Sequence, residues 1–535
     1  MAYERISDFA DKVAKVIDAN LSQLRKPGVL SVRPGYEITG GRLTKKPAIV
    51  VTVERKQEDI PAQDRLPETL GGYPVDVRQA TPLQRLRATD QARYKDVAAA
   101  VPPALALPAY PGERDVAMLE RGQPLTGTAE ALTSLNASVD ALRRPPKQRI
   151  DYTAPAGETL DAVEEDMTII CHASPDAGWT KLREFLQGVE NCLTVGMYDF
   201  TSEHILKTVQ QALGSRKMNL VLDRPRFLDP SADQTDEETE RALVSSLGGN
   251  LEFAWALENM DPFATAWIYP SAYHIKVAVS DRKDFWLSSG NWNNSNQPDI
   301  DPWSDFEAAR LKAPASDRDW HVIVKNGTLA RVFEAFLLKD LAVASKYQRA
   351  TAPPSQTRSP EPPVNAMTPN QFFYPEEVSG KIKVQPLLTP DNYEEYVLPL
   401  IQSANRSLYM QTQYIHPSDK PEDGVLAKLV QAVVGKMSAG KDVRLLLSQY
   451  ERDYIEALQD AGVDMSCVKI QPRVHNKGII VDSEKVVISS QNWSGDGVAR
   501  NRDAGLIIYN AQAAQYFERI FKHDWVYMVS PHGVA

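Results

Sequence analysis

Two stretches of this chain carry residue types and spacings that could do chemistry together. "YHIKVAVSDRKDFWLSSGNWNNSN" begins at Tyr273 and "VHNKGIIVDSEKVVISSQNW" begins at Val474. Each has a histidine two residues before a lysine, then an aspartate, then Ser-Ser-x-Asn at the same offsets. β-Branched residues and alternation mark both as strands, so His274 and Lys276 share one face, as do His475 and Lys477. Asp281 and Asp482 fall on the opposite face and are expected to fix the following turn. Ser289 with Asn291, and Ser490 with Asn492, present hydroxyl and amide groups one short strand further on. A lone His-x-Lys is usually a packing detail, whereas two copies with matching offsets form a signal. Brought together about a pseudo-twofold axis, these groups suit a phosphodiester. One neutral imidazole attacks phosphorus; the other protonates the departing oxygen and then activates water or an alcohol. The lysines and asparagines stabilise charge on the non-bridging oxygens. Neither motif carries the carboxylate and histidine cluster of a two-metal site, so chemistry without metal or other cofactor is expected.

Each histidine needs a carboxylate on its far nitrogen to hold its tautomer. "RDWHVIVKNGTLARVFEAFLLKD" from Arg318 aligns without a gap on "RDAGLIIYNAQAAQYFERIFKHD" from Arg502, which nominates Asp319 and Asp503. Glu307 rivals Asp319, because "EAA" mimics "DAG". Asp319 is preferred, since its register extends across the following helix. The repeat is wider still. Strand-like runs ending near a tyrosine ("CLTVGMYDF"; "SLYMQTQYI") precede helical stretches ("HILKTVQQAL"; "GVLAKLVQAVV") and buried-looking strands ("MNLVLD"; "VRLLLS"). Strands alternating with helices imply a duplicated α/β fold.

At 535 residues the chain is too long for one core. Residues 1–165 read as an α+β accessory or interaction region. An amphipathic helix (Phe9, Val13, Val16, Ile17, Leu21) is followed by strand-like runs around a Gly-Gly turn, with no histidine or cysteine before Cys171. Residues 166–349 form the first repeat, the Pro-rich 350–369 a linker, and 370–535 the second repeat. A net charge of −10 argues against a generic polyanion binder. Three scattered cysteines give neither a disulfide framework nor a zinc site. With no signal peptide pattern and no apolar run long enough to span a bilayer, a cytoplasmic protein is expected. The remaining histidines (His172, His204, His321, His416, His523 and His532) lack the motif's neighbours and read as surface or packing residues.

The quoted residues resemble the phospholipase D superfamily, whose signature is His-x-Lys, four residues, Asp, six residues, Gly-Ser-x-Asn. Both copies fit, except that Ser288 and Ser489 stand where glycine is usual. The resemblance covers roughly residues 166–530. It implies an α/β sandwich in each half, a phosphohistidine intermediate, no metal, His274 as nucleophile and His475 as acid. The family's substrates include phospholipids and nucleic acids, so fold does not decide between them. An insertion in the first half, "ALENMDPFATAWIYPSAY", places Trp267, Tyr269 and Tyr273 beside the catalytic strand, where aromatics could meet lipid at a peripheral membrane contact or stack nucleobases. The acidic balance favours hydrolysis or transfer of phospholipid headgroups. DNA or RNA cleavage is the alternative, and an inactive scaffold is the third reading.

Overall fold

The computed structural model describes residues 4–57, 59–100, 107–117, 148–149, 152–223, 227–228, 231–256, 266–267, 269, 272–347, 356–357, 366–418 and 420–530. Most of the Pro-rich linker and most of the first-half insertion lie outside these residues. The chain forms two compact units. One comprises residues 1–143, 450–466 and 531–535, the other 144–449 and 467–530.

The larger unit is built on one ladder of fourteen strands among the described residues. From one edge the order is Leu251–Trp255, Lys217–Leu222, Cys192–Met197, Lys276–Ser280, Asp284–Ser288, Asp319–Lys325 and Val163–Ser174. It continues through Glu376–Thr389, Asp503–Tyr509, Lys485–Ser489, Lys477–Val481, Ser407–Thr412, Asp442–Leu447 and Val468–Ile470. The second series repeats the first in reverse, so a pseudo-twofold axis passes through the antiparallel pairing of Val163–Ser174 with Glu376–Thr389. Val163–Ser174 begins ahead of residue 166, the boundary expected from sequence, because the strand that joins the halves must reach across the axis.

Both sheet faces are covered. Ile169, Cys171 and Ala173 point into one core with Val277, Val279, Trp320, Val322 and Val324. The helices Gly327–Ala344 and Ala511–Tyr527 fill that core through Phe333, Phe336, Phe517 and Phe521. Ala278, Trp286 and Ile323 face the other way, against Leu182, Phe185, Ile205 and Val209 of two helices. This alternation is the period of a strand buried on both sides. Each long helix opens on an asparagine cap, Asn326 accepting from the Leu329 amide and Asn510 from that of Ala513.

Asp281 and Asp482 do the turn work expected of them. Each has left-handed backbone, φ 54° and 56°. Asp281 accepts from the amides of Glu190, Asn191 and Cys192, and Asp482 from those of Asn405, Arg406 and Ser407. They pin the start of the neighbouring strand in each half.

The smaller unit contains the helix Ile6–Ala19 and an antiparallel pair, Val29–Thr39 with Arg42–Val53, extended by Tyr73–Gln79 in parallel. It also takes Tyr450–Ser466, a segment that the sequence reading leaves within 370–535. Glu456 explains why. Its carboxylate accepts from the Tyr36 amide at 2.9 Å and pairs with Arg33 and Arg78.

Candidate active site

Both His-x-Lys strands enter the larger unit beside the pseudo-twofold axis. The backbone brings them there through cross-half bridges, Tyr273 to Arg502 and Arg318 to Val474. The Arg318 amide donates to the Arg473 carbonyl at 2.7 Å, and the Arg502 amide to the Ala272 carbonyl at 3.1 Å. Each histidine is thereby set against the other half's acid. His274 Nδ1 lies 2.7 Å from Asp503 Oδ1, and His475 Nδ1 lies 3.0 Å from Asp319 Oδ1. The sequence nominates these aspartates; their exchange between halves is a product of the fold. Glu307, the rival acid, is exposed on the helix Phe306–Lys312 and pairs with Arg310.

With Nδ1 engaged, Nε2 of each imidazole is the ring nitrogen turned away from its acid. Lys276 Nζ donates to the His274 carbonyl at 2.5 Å, and Lys477 Nζ makes the same contact with the His475 carbonyl. Ser289 Oγ donates to Asp319 Oδ1 at 2.6 Å and Ser490 Oγ to Asp503 Oδ1 at 2.7 Å. The serines therefore hold the orienting carboxylates, which differs from the substrate contact expected of them. Asn291 and Asn492 are buried, and the Oδ1 of each has no hydrogen-bond partner among the described residues. No group of three or more His, Cys, Asp or Glu side chains able to hold a metal occurs among the described residues.

Electrostatics follow from burying positive groups together. Burial, then Lys276, Lys477 and His475, pushes His274 well below its ordinary value. Burial and Lys477 push His475 down to about 4, and burial brings Lys477 down to about 8. Burial opposes ionisation of Asp319, yet His475 and Lys477 hold it down to about 2. Asp503, in nearly the same geometry, is pushed up to about 7 by burial. The 2.7 Å contact between Asp503 and His274 places one proton between them.

The insertion aromatics behave differently from the expectation of a pocket mouth. Tyr269 and Tyr273 are fully buried, and their hydroxyls donate to Asp340 at 2.6 and 3.1 Å. Their polar tips need a partner in the core, and Asp340 supplies it while binding Arg502. Trp267 lies in a two-residue strand paired with Gln148–Arg149; its side chain is outside the described residues. The aromatic that does adjoin the site is Tyr198, half-buried, with its ring 4.9 Å from that of His274 and 5.2 Å from Lys276 Nζ. It lies near the end of the run "CLTVGMYDF", and its counterpart Gln413 accepts from Lys477 Nζ at 3.5 Å.

Sequence reading also passed over the arginines before each acid. Arg318 reaches Asp524 at 2.9 Å and pairs with Asp176, while Arg502 reaches Asp340 and Asp391, each at 2.9 Å. Asp524 belongs to the other half from Arg318, and Asp340 to the other half from Arg502. The aligned Arg-Asp…Asp of the repeat was the signal available.

Parts of the chain are similar to known proteins. Residues 397–525 match the family described as "Cardiolipin synthase, PLD-like domain". A phospholipase D of Rickettsia conorii is 29% identical over 143 residues, 26% of this chain and 67% of that protein. A phospholipase D of Rickettsia felis is 29% identical over 140 residues, 25% of this chain and 66% of that protein. The chain thus spans about two thirds of the length of these relatives. Among solved structures, a phosphatidylserine synthase of Haemophilus influenzae aligns with 13% identity and a TM-score of 0.45, covering 68% of this chain and 88% of that one. Nuc of Salmonella typhimurium aligns with 20% identity and a TM-score of 0.24, covering 28% and 97%. The family match and the phospholipase D relatives support an enzyme of the phosphoric diester hydrolase type. Over residues 397–525 the chain is similar to the phospholipase D-like domain.

Proposed function

We propose that this protein cleaves phospholipid headgroup phosphodiesters, by hydrolysis or by transfer to an alcohol, through a phosphohistidine. The observation that carries the reading is the pair of buried His–Lys sets, each histidine oriented by the acid of the opposite half. His274 Nε2 donates its electron pair to phosphorus; the bond from phosphorus to the departing oxygen breaks, and that oxygen takes a proton from His475. His475 then accepts a proton from water or an alcohol, whose oxygen displaces His274 and restores the free imidazole. Both imidazoles are neutral before substrate arrives, and the entering anion draws the required proton onto His475. A lysine in its ammonium form near a non-bridging oxygen contributes about 4 kcal/mol at about 4 Å and an effective dielectric of about 20. Because burial pushes Lys276 well below its ordinary value, the entering anion must hold the proton on it. The phospholipase D relatives and the net charge of −10 support a lipid over a polyanion substrate.

The test is a panel of phosphatidylcholine, phosphatidylethanolamine, single- and double-stranded DNA and RNA, each with and without EDTA. Lipid cleavage that survives EDTA is the expected result. Cleavage confined to nucleic acid would transfer the assignment to a nuclease, and loss on chelation with recovery on adding a divalent ion would end the metal-free mechanism.

A further inference from the structure

We infer that His321 and Gln491 are positioning residues, each supplying the buried acceptor that fixes the Ser-Ser-x-Asn turn of its half. The inference rests on the phosphodiesterase reading for its kinetic readout. It starts from Ser288 and Ser489, which stand where the family's signature has glycine. A hydroxyl buried at such a point must be satisfied. Ser288 Oγ accepts from the Gly290 amide at 2.7 Å and lies 2.6 Å from His321 Nδ1, a shorter contact than its 3.0 Å to the Gly290 carbonyl. Ser489 Oγ accepts from the Gln491 amide at 3.0 Å and donates to Gln491 Oε1 at 2.6 Å. In each half one hydroxyl joins the amide two residues on to a buried acceptor.

The acceptor enters the two halves from opposite sides. His321 stands directly across the ladder from Ser288, and Gly505 occupies the matching place across from Ser489. Gly290 and Gln491 are likewise matched. Space explains the exchange. A Cβ at Gly290 would lie 2.7 Å from Asp319 Oδ2, so the first half cannot fill the slot from the turn. A Cβ at Gly505 would lie 2.9 Å from Ser489 Cβ and 3.2 Å from Gln491 Oε1, so the second half cannot fill it from the facing strand. His321 is further held by Ser174 Oγ, 2.8 Å from its Nε2. The turns set in this way carry Ser289, which grips Asp319, and Ser490, which grips Asp503. The slot therefore acts on the catalytic imidazoles at one remove, and His321 touches no reacting atom.

The experiment is a cycle of His321→Leu, His321→Gln, Ser288→Gly and the double variant His321→Leu/Ser288→Gly in the full chain. kcat and KM are measured on the phosphodiester that the wild type cleaves, with thermal unfolding in parallel. His321→Leu should lower kcat roughly tenfold or more with KM within about twofold, because the turn is misaimed while binding is kept. His321→Gln, which restores an acceptor, should recover most of that loss. The His321→Leu loss should also shrink severalfold when Ser288→Gly removes the hydroxyl that needs satisfying. A His321→Leu enzyme as fast as wild type, a Gln variant as slow as the Leu variant, or a loss of equal size with and without Ser288→Gly would each overturn the inference. Should the wild type cleave no phosphodiester, the functional reading fails by itself. The slot is then judged on unfolding, where additive shifts in Tm would overturn it and a smaller shift in the double variant would support it.

Discussion

His274 and His475 carry the same neighbours in sequence, yet each is set against an acid far off in the chain, across the pseudo-twofold axis: Asp503, 229 positions away, for one and Asp319, 156 positions away, for the other. Replacing either histidine with Ala should lower kcat by roughly 10³-fold or more, since one imidazole cannot serve as both nucleophile and acid. Asp503→Asn should slow phosphoenzyme formation roughly 10²-fold or more by misorienting His274. Rapid-quench trapping of the acid-labile phosphohistidine reads both effects. A His475→Ala enzyme turning over at wild-type speed would remove the two-histidine mechanism. Lys477 adds a pH signature. Burial brings it from its ordinary value down to about 8, so its charge is present below that pH and lost above it. kcat/KM should therefore fall as pH rises through about 8. A profile flat to pH 10 would show that the charge on Lys477 is not needed.

At the scale of elements, the two halves are near copies that mesh by exchanging large and small residues. Trp320, one residue past the first acid, is fully buried and packs on Phe517 of the opposite half's long helix at 4.8 Å. Gly478, in the second-half His-x-Lys strand, makes room for it: a Cβ there would lie 2.2 Å from the indole. The matching positions are Ala504 and Val277, so bulk removed from one strand is restored in its counterpart. Gly478→Val should cost roughly 1–3 kcal/mol through overpacking. Combined with Trp320→Ala it should cost less than the sum of the two single changes. Denaturant unfolding of the three variants measures the coupling, and strict additivity would contradict the contact.

At the scale of the whole molecule, the chain leaves the larger unit after Gln449, contributes Tyr450–Ser466 to the smaller unit, and returns at Cys467. Glu456 is the anchor within that smaller unit. Arg33 and Arg78 hold its carboxyl below the ordinary glutamate value despite complete burial. Glu456→Ala should destabilise the smaller unit by about 3–5 kcal/mol, because it strands a buried guanidinium. Hydrogen exchange of the strands Val29–Thr39 and Arg42–Val53 should then accelerate. Unchanged protection would mean that the excursion is not structural.

Much of the chemistry was legible in the amino-acid order, because local spacing imposes it. A strand's period of two puts His274 beside Lys276 and His475 beside Lys477, and the ungapped repeat singles out Asp319 over Glu307. The α/β duplication was legible for the same reason, since periodicity and register are short-range properties. Which acid serves which histidine was not, because that pairing depends on how the two halves of the sheet join at Val163–Ser174 and Glu376–Thr389, a contact with no local signature. Nor was the burial of Tyr269 and Tyr273. A tyrosine reads alike at a pocket mouth and in a core, and only the presence of Asp340 opposite its hydroxyl decides. His321 passed as a packing residue for a similar reason: its partner Ser288 lies across the ladder, and the complementary choice in the other half, Gln491 with Gly505, becomes meaningful only when the strands are paired. Local order determined what each segment could present; long-range pairing decided which groups meet.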